Sequence, residues 1–469
     1  MALFATGNIL GFSSVSIPSL LSKDSEIEAD AEDMSWMASL ITIGCIVGTL
    51  VGGLTSDAIG RKRTILLSSL MYTIGWVIIS QSTMLADLLT GRMLTGIASG
   101  FYSVTVQVYV CEIADPEIRG VSGSLPTFMV SLGILIVWCL GSVVHWRTVA
   151  MVCGAFPMFV FFYVLFLPES PVWLISRGQQ PEALKNLTWL KNDPEEAQQE
   201  CMRLQYLKER RIAQKSVSIT NSCTRFCDPS VIKRLLMGVT LFFVQQFCGQ
   251  YCIVFYATMI FRYADHFIND YLETIALGFV RMFATLIALF LINFMKQRTL
   301  LIISGLLMSL STGLLGSYFL LREFEGDFGN STFSNPQIPL ALEAINIEWV
   351  PLACLITFMS GYSIGWGIIP WFLIPGIMPS DVRSFACSIT FGLNQLFLFT
   401  SVKTFLTMVE LLDAHGVFWF YSGVALFGTL FVILYVPETS NLDSAEIEEI
   451  FQPKPSYNTF EEERQETDF

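Results

Sequence analysis

Apolar runs long enough for an α-helix to cross a bilayer recur along this chain of 469 residues, and there are about twelve of them. Hydrophobic residues make up 53% of the chain and charged ones only 14%, against roughly 25% charged in a soluble protein. The pattern predicts an all-α membrane protein with twelve transmembrane helices. They are placed near 2–21, 35–56, 64–81, 88–110, 121–142, 147–167, 235–260, 271–293, 299–321, 348–377, 385–408 and 415–436. The first run has no basic leader or cleavage site and reads as a span rather than a signal peptide.

The one long polar gap predicts an organisation into four parts. Residues 1–167 form a six-helix half, 168–233 a linker with amphipathic stretches such as Pro194–Arg211, 234–436 a second six-helix half and 437–469 an acidic tail. The net charge of −13 lies largely in the segment Asp24–Asp33 and in that tail. It gives no basic surface for nucleic acid. With the N-terminus inside, the short inner loops carry Arg61, Lys62, Arg63, Arg119, Lys296, Arg298 and Arg383. The outer loops carry Lys23, Arg147, Arg262 and Arg322. The positive-inside rule therefore places both termini in the cytoplasm. Asn330-Ser331-Thr332 then falls outside, where Asn330 is a glycosylation acceptor by pattern.

One spanning run is interrupted by polar side chains. Gln245, Gln246 and Gln250 lie inside it, beside Gly249. An amide facing lipid is expensive, so these residues should face a protein interior or a water-filled route. They either join helices by hydrogen bonds or form a polar ligand site, and three amides beside a helix-loosening glycine favour the site. The eleven cysteines are scattered and mostly apolar in context. Cys248 and Cys252 share a helical face without a nearby histidine, so no metal site is expected. Nothing in the chain forms a catalytic constellation, and neither an enzyme nor a cofactor is expected.

Charged clusters close several helices. Asp57-x-x-Gly60-Arg61-x-Arg63 ends the second, and Glu112 with Glu117-x-Arg119-Gly120 ends the fourth. With Gly91-Arg92, Pro168-Glu169-Ser170-Pro171, Gln245-Gln246-Phe247-x-Gly249, Pro370-Trp371 and Pro437-Glu438-Thr439, they form an ordered series along almost the whole chain. In this the chain resembles the sugar porter branch of the major facilitator superfamily, and most of all the insect facilitated trehalose transporters.

The resemblance implies the major facilitator fold: two pseudo-symmetric six-helix halves around a solute site, rocking in alternating access in the plasma membrane. It places Thr127, Gln245, Gln246, Tyr251, Arg281, Trp371, Asn394 and Gln395 around a small-molecule sugar. It also implies a cytoplasmic latch of Asp57, Arg61, Arg63, Glu112, Arg119, Glu169 and Glu438. Amides suit hydroxyls because each donates and accepts, and a tryptophan face suits a pyranose ring. The first helix, from Asn8 to Pro18, carries no acid where proton-coupled relatives place one, which implies facilitative transport.

The chain also departs from the family pattern. The turn Asn293-Phe294-Met295-Lys296-Gln297-Arg298 and Gly376 lack both sides of the ion pair expected in the second half. Val172 stands where the family usually has arginine. Tyr251 and Arg281 replace asparagines, and Gln395 replaces a tryptophan. Arg281 lies about 15 Å into its helix, where a charge should face the solute route. Three readings follow: a facilitative transporter of trehalose or a hexose, a carrier of an anionic or modified solute paired with Arg281, or a weakly transporting sensor or scaffold. Sequence does not choose the solute or the oligomeric state.

Overall fold

The structure is a computed structural model that describes residues 2–22, 27–113, 119–191, 193–206, 208–209, 229–264, 270–329, 349–379 and 383–438. The side chains of 111, 119–124, 293, 323–329 and 383–385 lie outside this description, as do Asn330 and the acidic tail. Among the described residues the regular structure is helical.

The first six long helices are α1 (Ala2–Leu20), α2 (Ala31–Ile59), α3 (Arg61–Gln81), α4 (Leu85–Ile113), α5 (Arg119–Gly141) and α6 (Trp146–Leu165). The acidic first loop builds the start of α2. The Asp30 carboxylate accepts from the backbone N–H of Asp33 at 2.8 Å, and Asp33 reaches back to the N–H of Asp30 at 3.1 Å, a reciprocal cap. The polar linker folds into α7 (Pro171–Ser176), α8 (Gln180–Lys191) and a helix α9 over 194–206. Leu174, Ile175, Ala183, Leu187, Ala197 and Cys201 give these three short helices an apolar core of their own.

The second set runs α10 (Pro229–Phe247), α11 (Gln250–Ala264), α12 (Asp270–Phe294), α13 (Gln297–Gly329), α14 (Val350–Ile364), α15 (Ile369–Ile377) and α16 (Arg383–Tyr435). The expected seventh and tenth helices are each broken in two, at Gly249 and over Gly365–Ile368. The expected eleventh and twelfth run on as α16, divided by a non-helical Asp413 at φ 56°. The apolar part of α16, Ala386–Tyr435, is 50 residues long. That is roughly 75 Å of helix, more than twice the ~30 Å hydrocarbon core, so it supplies two crossings. With the other nine long apolar segments and the shorter Leu125–Gly141 of α5, the chain crosses twelve times.

Helix packing repeats between the two sets. In the first, α4 packs on α2 and α3, α3 on α6, and α1 on α5. In the second, α14 packs on α12 and α13, α13 on α16, and α10 on α16. The sets meet through α2 with α16, α5 with α12, and α1 with α11. The Ser35 hydroxyl donates to the Lys403 carbonyl at 2.9 Å, and the Lys403 ammonium sits 4.2 Å over the Trp36 ring. Farther along the same seam the Gln395 amide lies 3.3 Å from the Cys45 sulfur. Ser14 and Thr258 share a hydrogen bond of 2.9 Å, and Ser131 and Thr285 one of 3.3 Å.

Candidate functional site

The break between α10 and α11 organises the site. Gly249 has φ +89°, a region open mainly to glycine, and a Cβ there would strike the ring of Tyr421 on α16. The span is therefore interrupted beside its three amides. Gln245, Gln246 and Gln250 are all fully buried. Gln245 donates through Nε2 to the Trp366 carbonyl at 2.7 Å, where the α14–α15 break leaves that carbonyl outside a helix. Gln246 donates through Nε2 to Asn394 Oδ1 at 2.5 Å. The backbone carbonyl of Gln246 accepts from Ser401 at 3.0 Å. Two broken spans and α16 are thus tied together by amides, the architecture in which transporters expose mid-membrane binding groups.

What these amides leave unmade is as informative. Gln245 Oε1, Gln246 Oε1 and both polar atoms of Gln250 have no hydrogen-bond partner, nor do both polar atoms of Asn8 on α1 and the hydroxyl of Tyr256, whereas the Tyr421 hydroxyl of α16 pairs with the Cys252 thiol of α11. A buried polar atom without a partner costs about 1–3 kcal/mol, and most such groups in proteins are satisfied. The unpartnered atoms lie on α1, α10 and α11, where α1 packs on α11 and α16 on both α10 and α11. A belt of unmade hydrogen bonds that mixes donors and acceptors matches a ligand rich in hydroxyl groups.

The other expected residues fall around this belt at different distances. Tyr251 is half-buried at the start of α11, and Arg281 is 6% exposed at the twelfth position of the 25-residue α12. Tyr362 of α14 interacts with Tyr251, Arg281 and Gln245 and so connects these two residues to the amides. Arg281 and Tyr251 are electrostatic neighbours, although they do not form one of the stacked cation–π pairs found elsewhere. Thr127 is half-buried on α5, one turn before Ser131, and so faces the α12 side. Trp371 is 39% exposed and packs its ring against Phe242 and Phe391 at 5.2 and 5.3 Å. Gln395 faces Cys45 on the seam, one residue from Asn394.

Asn8, Tyr362 and Trp366 were not assigned to the solute from sequence, and Gln250 was singled out only as the third amide of the seventh span. Each is a polar or amphipathic interruption in an apolar run, the signal that singled out Gln245 and Gln246.

A second cluster closes the end of the bundle that carries α7–α9. Gly60 turns the chain between α2 and α3 at φ +103°, and a Cβ there would collide with Glu169. The Glu169 carboxylate accepts from the backbone N–H groups of Arg61, Lys62 and Ser170 at 2.9–3.2 Å, capping the start of α3. The Arg61 guanidinium bonds Asp57 at 3.0 Å, the Ser56 carbonyl at 3.0 Å and both oxygens of Glu112 at 3.1 Å. Ser170 donates to Glu112 at 2.5 Å. Asp57, Arg61, Glu112 and Glu169 therefore form one network within the first set of helices. Arg63 is exposed outside it, Glu438 is half-buried just beyond α16, and the Arg119 side chain lies outside the described residues.

The family model for the sugar (and other) transporters matches residues 7–451, nearly the whole chain. The chain belongs to the sugar transporter family. Among curated relatives, the facilitated trehalose transporter Tret1 of Bombyx mori is 30% identical over 442 residues, 94% of this chain and 83% of the relative. The protein of the same name from Culex quinquefasciatus is 32% identical over 445 residues, 94% of this chain and 82% of the relative. Among solved structures, the inward-open xylose transporter XylE from E. coli superposes with a TM-score of 0.75 at 21% identity, covering 96% of this chain and 98% of that one. The fold is that of the major facilitator superfamily. This sugar transporter is a multi-pass membrane protein and not an enzyme.

Proposed function

We propose that the protein carries a sugar down its own gradient by alternating access, with Gln245, Gln246, Gln250 and Asn394 reading its hydroxyls. The observation that carries this reading is the broken α10–α11 span, whose buried amides keep unmade hydrogen bonds deep in the bundle. The named function of the curated relatives supports trehalose, or a hexose unit of that kind, as the solute. Thr127, Tyr251, Arg281, Trp371 and Gln395 complete the site in this reading.

A uniport mechanism fits the surroundings of Arg92. This fully buried guanidinium donates to the Ile9 carbonyl at 3.3 Å and to the Ser13 hydroxyl, and packs 5.1 Å over the Phe12 ring. Its acceptors on α1 are neutral, and among the described residues no carboxylate pairs with it. Residues 1–167 and 234–436 are the two moving halves, and 168–233 is the linker on the cytoplasmic side with both termini. The plasma membrane is the proposed location. The network of Asp57, Arg61, Glu112 and Glu169, with Arg63, Arg119 and Glu438 nearby, is the cytoplasmic latch.

Replacing Gln246 by Leu removes its bond to Asn394 and an acceptor for the solute. Saturable uptake of labelled sugar into proteoliposomes should fall at least tenfold, since a lost hydrogen bond that leaves its partner buried is worth about 1–3 kcal/mol. Wild-type rates in that variant and in Gln245→Leu together would remove the amides from the site. An imposed proton gradient should leave the initial rate unchanged.

A further inference from the structure

Three arginines are buried in the membrane-spanning helices, Arg92, Arg234 and Arg281. Arg234 donates to the Ile377 carbonyl at 3.1 Å, and Arg92 and Arg281 differ in their partners. Arg92 is surrounded by α1, which offers it a carbonyl, a hydroxyl and an aromatic face. Arg281 is 6% exposed and halfway along α12, and its Nη1 has no hydrogen-bond partner. It makes no ion pair among the described residues. The groups that couple to it electrostatically are the phenols of Tyr251 on α11 and Tyr362 on α14. On its own helix the buried acid Glu273 stands eight residues away, roughly 12 Å along the axis.

A guanidinium stays charged inside a protein, and a buried charge is stable only when paired. Arg92 has two acceptors and a ring on α1, although its own Nε has no hydrogen-bond partner. Arg281 is also buried, but it lacks the carbonyl, hydroxyl and ring that hold Arg92; its Nη1 has no hydrogen-bond partner, and it has no ion pair among the described residues. Tyr362 connects it to Gln245, so the free donor belongs to the same belt as the free amide acceptors. The belt thus has two chemically distinct ends. Gln245 Oε1, Gln246 Oε1 and Gln250 call for hydroxyl donors, and Arg281 calls for an anion.

From this we infer that the solute is an acidic sugar: a hexose unit bearing a carboxylate or phosphate, with its acid group on Arg281 and Tyr251 and its hydroxyls on the amides. The inference rests on the sugar-transporter reading and narrows its substrate class. A planar guanidinium suits both acid groups, because its N–H groups match two oxygens at once.

The test uses the full chain in liposomes with labelled glucuronate, glucose 6-phosphate, glucose and trehalose. Glucuronate or glucose 6-phosphate should enter saturably, and whichever does identifies the acid group. Arg281→Gln should lower that flux roughly 100-fold, the effect of losing a charge-assisted bond. Arg281→Lys should retain part of the flux. A wild-type experiment needs no variant to fold: unlabelled glucuronate or glucose 6-phosphate should compete at least tenfold better than glucose for uptake of the labelled anion.

Wild-type uptake of glucose or trehalose with neither anion would overturn the acidic-sugar inference and leave the transporter reading standing. Flux of none of the four, by protein shown to be inserted and monodisperse, would overturn the transporter reading and this inference with it. Anion uptake unchanged in Arg281→Gln would remove Arg281 as the recognition group.

Discussion

The turn between α2 and α3 and its counterpart between α12 and α13 occupy equivalent places in the two six-helix sets, yet they are held by different physics. At the first, Arg61 bonds two carboxylates and a carbonyl, Glu169 caps α3, and Trp173 of α7 and Arg177 just after it donate to the last carbonyls of α2 at 2.8–2.9 Å. At the second, Phe294 is 85% exposed, and the Arg298 guanidinium bonds the Ile433 carbonyl in the last turn of α16 at 2.5 Å. A Cβ at Gly376, where the family pattern has an acid, would meet open space. The first turn is fixed by a network in which each charge has several partners. The second has a cation at a helix C-terminus, which is favourable but weak. Among the described residues, that end of the protein is therefore more densely bonded on one side than on the other. That asymmetry makes the second set the easier one to displace.

The strongest challenge to this contrast is Arg61→Ala. Among the described residues it leaves half-buried Glu112 with Ser170 as its partner and frees Asp57. Breaking such a pair is expected to cost about 3 kcal/mol, read as lowered thermal stability in detergent. A double-mutant cycle with Glu112→Gln should return a coupling of about 1–3 kcal/mol. Glu169→Gln comes next: the amide keeps one acceptor oxygen where a carboxylate served three backbone N–H groups, so a loss of about 1–2 kcal/mol is expected. The smallest effect belongs to Arg298→Ala, at about 0.5–1 kcal/mol. If Arg298→Ala proves as costly as Arg61→Ala, the two turns are equivalent and the asymmetry is wrong.

Much of this was legible beforehand. The motif from Asp57 to Arg63 names the residues of the first turn, and the missing acids from Asn293 to Arg298 predict the bare second one. Gln245 and Gln246 stand out because amides do not survive facing lipid. The break of the seventh span is less visible. A glycine loosens a helix anywhere, but Gly249 is obligatory because the ring of Tyr421 occupies the space of its side chain, and that ring comes from the far end of the chain. Tyr362 escaped notice for a similar reason: its importance lies in its hydrogen bond to Gln245 and its electrostatic coupling to Tyr251 and Arg281, which sit on three other helices.

The sequence by itself determined the number of crossings, the family and the polar residues that had to be hidden from lipid. The family follows from the ordered motifs, and the other two from the cost of placing polar groups in hydrocarbon, which one residue incurs alone. Only the tertiary structure decided which hidden groups are satisfied. Arg92 and Arg281 are the same residue at comparable depth, and nothing in their immediate sequence separates their roles. The difference is that α1 brings a carbonyl, a hydroxyl and a ring to one, while α11 and α14 bring the other two phenols and no counter-charge. Hydrogen bonding is a property of pairs, and the partners here are chosen by how the helices pack.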